Sequence, residues 1–365
     1  MDSPDMDSPD MDLPRPEQND ADASSSSRAT EPLLQVRDLR VYFNTTRGIL
    51  KAVDGVTFEI GRGETLGLVG ESGCGKSITA YSILRLVPVP PGTYAGGTIL
   101  FKGTDLLKLS ERQIDSVRGS QISIVFQDPT ESVNPIMTIG SQISEVIVRH
   151  RGVSKTEARD ITIAMLRRVG IGSPERRFRS YAHELSGGMI QRAMIAMSLV
   201  CKPELLIADE PTTALDVTIQ AQILELLDDL RRDLGMSVLI ITHDLGVVAQ
   251  ISDRVAVMYA GKIVEYAAAR DLFHQPKHPY THGLFRSLPR LQEGRARQPL
   301  PVIPGTVPDP SEYVEGCRFR PRCPIAQEIC GSEPPLRAIS PGHLSACHFA
   351  EQVAALTPGS LLSYG

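Results

Sequence analysis

A glycine-rich segment with a single lysine offers the first recognisable chemistry in the sequence. Its residues are Gly70, Glu71, Ser72, Gly73, Cys74, Gly75, Lys76 and Ser77. This is the spacing of a P-loop, and the apolar run 66–69 precedes it as a strand precedes a P-loop. Glycines let backbone N–H groups converge on phosphate oxygens, Lys76 adds a positive charge, and the Ser77 hydroxyl can bind Mg²⁺. The segment therefore predicts a site for a nucleoside triphosphate, and the alternative is a glycine-rich turn with a chance Lys-Ser pair.

Two acidic residues follow another apolar run. The run 205–208 reads Leu-Leu-Ile-Ala, and Asp209 and Glu210 come directly after it. Such a strand would supply what the P-loop lacks, because Asp209 can hold the Mg²⁺ shell and Glu210 can act as general base for the attacking water. Taken alone, the pair also fits a strand that ends in two solvated acids. Together with a P-loop, it predicts nucleotide hydrolysis.

Two further polar residues stand at predicted strand ends. Gln127 follows the run 123–126, and His243 comes soon after the apolar run 238–241. By themselves these positions fit structural residues as well as catalytic ones, because a histidine at a strand end is more often structural. Their assignment depends on whether the side chains meet the nucleotide site.

The charge distribution gives no reason to expect a nucleic-acid partner. The chain has 38 Lys and Arg against 43 Asp and Glu. Residues 1–30 hold eight acidic residues against two arginines, so the remainder is nearly neutral. The N-terminus lacks a basic and apolar signal segment, and no apolar run approaches the roughly 18 residues of a spanning helix. These features predict a cytosolic chain that meets a membrane only through other subunits.

The pattern along the chain predicts an α/β fold. Residues 1–32 are polar and proline-rich, which favours a disordered acidic tail. Short β-rich runs such as 56–60 and 65–69 follow, and 155–169 places apolar residues on one helical face. The runs 205–208 and 238–241 are continuous and apolar, as in strands buried on both faces of a parallel sheet. After about residue 275, closely spaced prolines indicate a small, loop-rich extension.

The segment Glu184-Leu185-Ser186-Gly187-Gly188-Met189 introduces a second anion site, because Ser-Gly-Gly at a helix start presents N–H groups and a hydroxyl. Between Leu33 and Arg270, the P-loop, Gln127, this segment, the acidic strand end, Asp216 and His243 stand in an order that resembles the ABC-transporter ATPase family. The resemblance implies a nucleotide-binding domain at 33–275 with a P-loop NTPase (RecA-like) core. It also implies an antiparallel β subdomain and an inserted helical subdomain at about 129–195.

The same resemblance implies a role for each motif. Ser186, Gly187 and Gly188 would face the γ-phosphate of ATP on the opposite protomer of a head-to-tail dimer, near Asp216 of the D-loop. His243 would sense the γ-phosphate. Gln127 would contact Mg²⁺ and link the catalytic site to the helical subdomain. Phe43 is the expected adenine platform, with Tyr42 as the alternative. Met189 departs from the glutamine usual in the family, after the residues that would contact phosphate.

Three features resemble the D-type ATPases of dipeptide and oligopeptide importers: the signature Leu185 to Met189, the segment His278-Pro279-Tyr280-Thr281 with Gly283-Leu284, and Pro304-Gly305-Thr306-Val307-Pro308. They imply a second ATPase subunit in a heterodimer, two permease subunits, an extracytoplasmic solute-binding protein as indirect partner, and a place at the cytoplasmic face of the membrane. A nickel importer and a soluble ABC ATPase are the alternatives. The segment 278–280 is expected to pack the extension against the ATPase domain.

Four cysteines lie in the predicted extension 276–365, namely Cys317, Cys323, Cys330 and Cys347. In a reducing cytosol, clustered thiols favour a metal site over disulfides, but the close cysteine pairs of zinc sites are missing. The resemblance to peptide-importer ATPases favours a [4Fe-4S] cluster over zinc or free thiols, with His348 as a secondary ligand candidate. Of the other two, Cys201 is expected in the core, and Cys74 is expected as a thiolate because it lies beside Lys76 at a helix N-terminus.

Overall fold

The computed structural model describes residues 31–46, 48–213, 215–287 and 302–353. The predicted acidic tail therefore lies outside the described residues, except for Glu31 and Pro32. The strands are β1 (Leu34–Thr45), β2 (Gly48–Ile60), β3 (Thr65–Val69), β4 (Gly92–Phe101), β5 (Thr104–Asp105), β6 (Ile122–Val125), β7 (Leu205–Asp209), β8 (Ser237–Thr242), β9 (Arg254–Tyr259), β10 (Lys262–Ala268), β11 (Arg337–Ser340) and β12 (His343–Ser345). The helices are α1 (Lys76–Ile83), α2 (Glu111–Val117), α3 (Pro129–Ser132), α4 (Ile139–Arg151), α5 (Lys155–Arg168), α6 (Pro174–Arg177), α7 (Gly187–Leu199), α8 (Val217–Leu234), α9 (Leu245–Ile251), α10 (Ala269–His274), α11 (Pro279–Arg286) and α12 (Ala350–Val353).

An antiparallel sheet forms the first layer, with strands in the order β2-β1-β4-β5. Leu34 in β1 pairs with Ile60 in β2 on one side and with Phe101 in β4 on the other. Apolar side chains of β1 such as Leu34 and Val36 are buried between more exposed neighbours. This alternation gives the sheet one core-facing side, as expected when only one face is covered.

The nucleotide core is built on a larger sheet, with strands in the order β11-β12-β10-β9-β3-β8-β7-β6. Strands β6, β7, β8, β3 and β9 run parallel, and β10, β12 and β11 continue the sheet in antiparallel pairing. Every residue of β3, β7 and β8 is buried. The continuous apolar runs predicted this for β7 and β8, because strands of a parallel sheet are covered on both faces.

Helices α3 to α7 stand between β6 and β7 in the chain, and α4, α5 and α7 share an apolar core with α8 and one face of the large sheet. Helix α5 begins after Ser154, whose hydroxyl accepts a hydrogen bond from the Glu157 N–H. Its buried face includes Ala158 and Met165, which the helical spacing placed together. The helical insertion expected from the sequence is therefore present, and it follows directly after Gln127.

The extension joins the large sheet instead of forming a separate layer. In the β11–β12 hairpin, β12 pairs with β10 so that Ser345 lies opposite Glu265. The buried Glu265 carboxylate accepts hydrogen bonds from the backbone N–H groups of Lys277 at 2.5 Å and His278 at 3.0 Å, and it contacts His343 Nε2 at 2.7 Å. One buried acid of β10 thus holds two segments of the extension, 277–278 and the β11–β12 hairpin.

The structure confirms the predicted α/β class, with an antiparallel β layer, a parallel core sheet, inserted helices and a loop-rich extension. Within the described parts of the chain, none of the helices combines the length and the apolar character that crossing a membrane requires.

Candidate active site

The P-loop connects β3 to α1, and its glycines are needed for both conformation and space. Gly70, Gly73 and Gly75 have φ angles of 153°, 79° and 104°, which side-chain-bearing residues rarely adopt. A Cβ at Gly70 would lie 2.1 Å from the Met258 carbonyl oxygen, and one at Gly75 would lie 2.3 Å from that of Ala52. One side of the loop is therefore closely packed against Ala52 and Met258, and the opposite side is the one that can face a bound phosphate.

Lys76 is folded into the P-loop and is only 5% exposed. Its Nζ donates to the carbonyl oxygen of Gly70 at 2.8 Å and to that of Glu71 at 3.1 Å. Both acceptors belong to the loop itself, so the loop holds the ammonium group at the start of α1. A phosphate bound at this helix N-terminus would meet a cation that is already positioned.

Asp209 ends β7 and has no solvent exposure. Its Oδ1 accepts a hydrogen bond from Ser77 Oγ at 3.2 Å, whereas its buried Oδ2 has no hydrogen-bond partner among the described residues. Burial raises the pKa of this carboxyl above its usual value. The Asp209 carboxylate, with one unpaired oxygen, and the Ser77 hydroxyl are oxygen ligands of the kind that Mg²⁺ uses. These residues therefore fit the predicted metal ion.

Glu210 collects the other predicted catalytic residues. Its Oε2 accepts hydrogen bonds from Gln127 Nε2 at 3.1 Å and from Thr213 Oγ1 at 2.9 Å, and its Oε1 lies 3.3 Å from His243 Nδ1. Glu210 itself has a φ of 47°, a strained conformation of the kind found at functional sites. The structure thus brings Gln127, Glu210 and His243 together at the ends of three neighbouring parallel strands.

Thr213 was not identified from the sequence. A threonine three residues after an acid is the one available signal, and the Thr213 N–H also donates to the Glu210 carbonyl oxygen at 3.2 Å. Such turns are common in proteins, so the spacing alone carries little information.

The signature segment caps a helix. Ser186 is exposed and precedes α7, and its Oγ accepts a hydrogen bond from the Met189 N–H at 3.4 Å. Gly187 is exposed, and Gly188 lies against α8, where a Cβ would be 3.1 Å from the Ile219 side chain. Among the described residues, no hydrogen bond joins this segment to the P-loop of the same chain. Its free N–H groups are therefore available at the surface.

Asp216 also acts as a helix cap. Its Oδ1 accepts a hydrogen bond from the Ile219 N–H at 2.9 Å and so begins α8. The next residue, Val217, is 83% exposed. A large exposed apolar side chain beside a capping acid is compatible with a surface that another molecule covers.

The two candidates for the adenine platform lie at the end of β1. Phe43 is half-buried and packs against the main core, and a Cβ at Gly92 would lie 3.3 Å from its ring. The Tyr42 hydroxyl donates to Asp54 Oδ1 at 2.6 Å, and burial with this bond raises the pKa of Tyr42 to about 12. Tyr42 is therefore tied to the protein by its hydroxyl, whereas Phe43 is held by apolar contacts alone.

The thiolate prediction for Cys74 is wrong. Its side chain has no solvent exposure, and burial raises the pKa of its thiol. Lys76 Nζ lies 3.8 Å from the sulfur and opposes this shift, but desolvation is the larger effect. Cys201 lies as expected, partly buried against the core of the inserted helices.

The four cysteines of the extension line one small cavity: Cys317, Cys323, Cys330 and Cys347. Burial raises the pKa of Cys323 to about 12 and that of Cys347 to about 11. In the parts of the chain that the structure describes, no three His, Cys, Asp or Glu side chains are grouped closely enough to hold a metal ion. His348 Nε2 contacts the Ser332 carbonyl oxygen at 3.2 Å. The four thiols thus share one cavity, but in the described residues they form no set of ligands close enough for a metal centre.

Two family models match the chain. The model described as ABC transporter matches residues 53–213, and the model described as oligopeptide/dipeptide transporter, C-terminal region, matches residues 264–330. The first covers the P-loop, the signature and the acidic strand end. The second covers three of the four clustered cysteines.

Similar proteins are known over nearly the whole length. A probable peptide ABC transporter ATP-binding protein of Sinorhizobium fredii is 53% identical over 332 residues, covering 91% of this chain and 99% of that protein. The oligopeptide transport ATP-binding protein OppD of Salmonella typhimurium is 49% identical over 328 residues, covering 89% and 97%.

Among solved structures, a dimeric ATP-binding cassette in a post-hydrolysis state bound to ADP and Pi is 25% identical, with a TM-score of 0.59 over 65% of this chain and 99% of that one. The fold, the geometry of the P-loop and acidic strand end, and the near-complete coverage of the relatives agree. This chain belongs to the ABC transporter ATP-binding protein family, as an ATP-hydrolysing member.

Proposed function

We propose that this chain is the ATP-hydrolysing subunit of an ABC importer for dipeptides or oligopeptides. The observation that carries the hydrolytic part is the cluster around Glu210, which gathers Gln127 and His243 next to the Asp209–Ser77 pair. The importer part is supported by the C-terminal family model and by the names of the similar proteins.

In the proposed mechanism, the P-loop N–H groups and Lys76 bind the β- and γ-phosphates of ATP. Ser77, Asp209 and Gln127 would hold Mg²⁺, which neutralises developing negative charge on the phosphates. His243 contacts the γ-phosphate of the bound ATP and acts as its sensor. Glu210 takes a proton from the attacking water as general base, while the water oxygen bonds to the γ-phosphorus and the bond to the ADP oxygen breaks.

The proposed active unit is a head-to-tail dimer with a second ATPase subunit. Ser186, Gly187 and Gly188 would contact ATP on the partner, and Asp216 would lie at the same interface. Exposure of Ser186, Gly187 and Val217 supports this arrangement. Phe43 would support the adenine on this chain's own ATP. A heterodimer is the proposed form, and an isolated monomer should hydrolyse ATP slowly.

The proposed location is the cytoplasmic face of the membrane, where the chain contacts two permease subunits and, through them, an extracytoplasmic solute-binding protein. The inserted helices would make the contact, since Ile136 is 82% exposed in the segment between Gln127 and α4. In this scheme residues 33–275 form the nucleotide-binding domain and 276–365 the extension.

Replacing Glu210 with glutamine tests the hydrolytic proposal. We expect ATP turnover by the assembled complex to fall at least about 100-fold while ATP binding persists, because the amide cannot accept the proton of water. Glu225→Gln, on the exposed side of α8, is the matched control and should leave turnover unchanged. Normal turnover in Glu210→Gln would exclude Glu210 as the base.

Uptake by cells that lack the chain tests the cargo. We expect labelled tripeptide and pentapeptide uptake to be lost and to return with the wild-type chain, but not with Glu210→Gln. Loss of nickel uptake with intact peptide uptake would favour the nickel alternative. Recovery of the chain on ribosomes or DNA, without permeases, would favour the soluble ABC ATPase.

We further propose that Cys317, Cys323, Cys330 and Cys347 bind a [4Fe-4S] cluster that staples the extension. Their placement around one cavity supports this proposal. Anaerobically purified protein should contain about four iron and four sulfide per chain by the cluster's stoichiometry. It should lose both, together with thermal stability, when Cys317 and Cys323 are replaced by serine. Stoichiometric zinc, or four thiols that all react with a labelling reagent, would contradict the cluster.

A further inference from the structure

The extension reaches back to the P-loop through an arginine that lies between two of the clustered cysteines. Arg322 Nη1 donates to Glu71 Oε2 at 2.7 Å, and Arg322 Nη2 donates to Glu71 Oε1 at 3.0 Å. Glu71 is the second residue of the P-loop. A two-pronged pair of this kind fixes orientation as well as distance, which a single contact would not.

The guanidinium group is itself fixed by its surroundings. Arg322 Nε donates to the Pro304 carbonyl oxygen at 2.8 Å, and Nη2 also lies 3.3 Å from that of Gly305. The group stands over the Tyr259 ring, and the side chain is 5% exposed. Each guanidinium nitrogen of Arg322 has an acceptor and the side chain is shielded from solvent. Arg322 is therefore a fixed hydrogen-bond donor for the Glu71 carboxylate.

A second contact holds the backbone of the same P-loop residue. The Glu71 N–H donates to the Tyr280 hydroxyl oxygen at 2.9 Å. Tyr280 is fully buried, and its ring lies 4.7 Å from that of Tyr259 and 5.5 Å from that of Phe319 between ring centres. The extension therefore grips Glu71 at both its side chain and its main chain. The packing role expected for the segment 278–280 includes a direct hydrogen bond to the loop.

Glu71 passes this constraint on to the phosphate site. Its carbonyl oxygen accepts the hydrogen bond from Lys76 Nζ at 3.1 Å. The chain of contacts runs from Arg322 and Tyr280, through Glu71, to the lysine that would meet the phosphates. Each link is a hydrogen bond with buried or half-buried atoms, so a shift of Glu71 would move Lys76 as well.

The segment 317–323 of the extension makes a second set of contacts with the ATPase domain, near the residues expected to bind adenine. Arg318, directly after Cys317, forms an ion pair with Asp54 and donates to the Ala260 carbonyl oxygen at 2.5 Å. Asp54 in turn accepts from the Tyr42 hydroxyl at 2.6 Å. Arg322 thus contacts the P-loop through Glu71, and Arg318 contacts Asp54, the partner of the alternative adenine platform Tyr42.

We propose that Arg322 and Tyr280 are positioning residues for ATP, which hold Glu71 so that the P-loop and Lys76 are arranged for the triphosphate before it binds. This proposal rests on the proposed ATPase function and adds a role for the extension in it. Pre-arranged contacts raise affinity because the loop need not be ordered when the ligand arrives. The extension thereby contributes to the proposed ATP site through its contacts with Glu71.

Arg322→Gln in the full chain is the first test. We expect the KM for MgATP to rise about tenfold, with a smaller change in kcat, because the loss falls on the arrangement of the loop. The same rise should appear in the Kd of a fluorescent ATP analogue. Thermal melting without nucleotide shows whether the variant is folded, and Arg320→Gln in the same loop, with an exposed side chain, should match the wild type.

Glu71→Gln separates positioning from simple charge attraction. If Arg322 acted only through charge, removal of the Glu71 carboxylate would strengthen ATP binding, since an uncompensated cation would remain near the phosphates. Positioning predicts weaker binding, and the double variant Glu71→Gln/Arg322→Gln should be no weaker than Arg322→Gln alone. Tighter binding by Glu71→Gln, or strictly additive losses, would overturn the proposal.

Tyr280→Phe removes a single hydroxyl and keeps the ring packing, so it tests the main-chain contact even if Arg322→Gln does not fold. We expect a KM about threefold higher. An unchanged KM in both Tyr280→Phe and Glu71→Gln would overturn the proposal. A wild-type chain that binds ATP but supports no peptide uptake would contradict only the proposed cargo, because the affinity measurements do not depend on transport.

Discussion

Asp209 in the nucleotide site and Glu265 in the extension are both carboxylates without solvent exposure, yet their surroundings differ. Glu265 has both oxygens occupied, by two backbone N–H groups and by His343 Nε2. Asp209 has one oxygen bonded to Ser77 and the other buried without a hydrogen-bond partner in the described residues. The two acids sit in the same sheet, on β10 and β7.

The difference in hydrogen bonding distinguishes a carboxylate that can bind a ligand from one that holds segments of the protein together. An unpaired buried oxygen costs free energy, and a bound metal ion is one partner that would remove this cost at Asp209. A fully paired carboxylate has no vacancy for a ligand, and its hydrogen bonds tie together the segments that supply them. This difference supports the proposed role of Asp209 in binding Mg²⁺ and indicates a structural role for Glu265.

Asp209→Asn should show the largest effect. We expect MgATP turnover to fall at least about 100-fold, because the amide gives Mg²⁺ no negative charge to bind. Stability without nucleotide should rise. The folded-state pKa of Asp209 lies above the ordinary value of 3.8, so keeping this group ionised at neutral pH opposes folding, and the amide removes that cost. ATPase assays across Mg²⁺ concentrations and melting curves check both expectations. Lower stability with normal turnover would show that Asp209 has a structural role, as proposed for Glu265.

Glu265→Gln should do the opposite. The amide cannot accept at both ends, so one of the three donors loses its partner, and we expect a loss of about 2–4 kcal/mol in the free energy of unfolding. ATP turnover per folded molecule should change little. Glu333→Gln is the control, since Glu333 forms one exposed ion pair with Lys262 and should cost under about 1 kcal/mol. Denaturant titration measures both, and equal costs would show that Glu265 is no special fastener.

Thr213→Val should show the smallest effect. It tests Glu210, whose carboxylate is paired more fully than that of Asp209 but has to exchange partners, unlike that of Glu265. Glu210 has several donors but must change partners when water and Mg²⁺ arrive, so losing the Thr213 hydroxyl should lower kcat only about fivefold, with the KM for ATP unchanged. Steady-state kinetics with Thr213→Ser as the conservative control check this. A loss as large as that expected for Asp209→Asn would give Thr213 a direct role.

Local patterns predicted the nucleotide site, and pairs distant in sequence could not be predicted in the same way. The strands β7 and β8 followed from apolar runs, and the P-loop from glycine spacing, because both depend on neighbours along the chain. Arg322 and Glu71 are 251 residues apart, and His343 and Glu265 are 78 apart. In the sequence, each of these four residues is indistinguishable from a charged or polar residue at the surface, because its partner is known only from the fold.

Cys74 shows a different reason for failure. Its helix position and the nearby lysine were visible in the sequence, and both favour a thiolate. What decides its state is burial, which came from the packing of the loop against strands β2 and β9. Burial at a single loop residue depends on tertiary structure, and motif spacing does not report it.

The pairing of the β11–β12 hairpin with β10 also determines where this chain can be shortened. Without the hairpin, Glu265 and Tyr266 of β10 would lose the strand that pairs with them, and an exposed sheet edge can pair with strands of other copies. A truncation before β11 would also strip His343 from the buried Glu265. We therefore expect a fragment of this chain that ends before β11 to be less stable and to aggregate more than one that retains the hairpin.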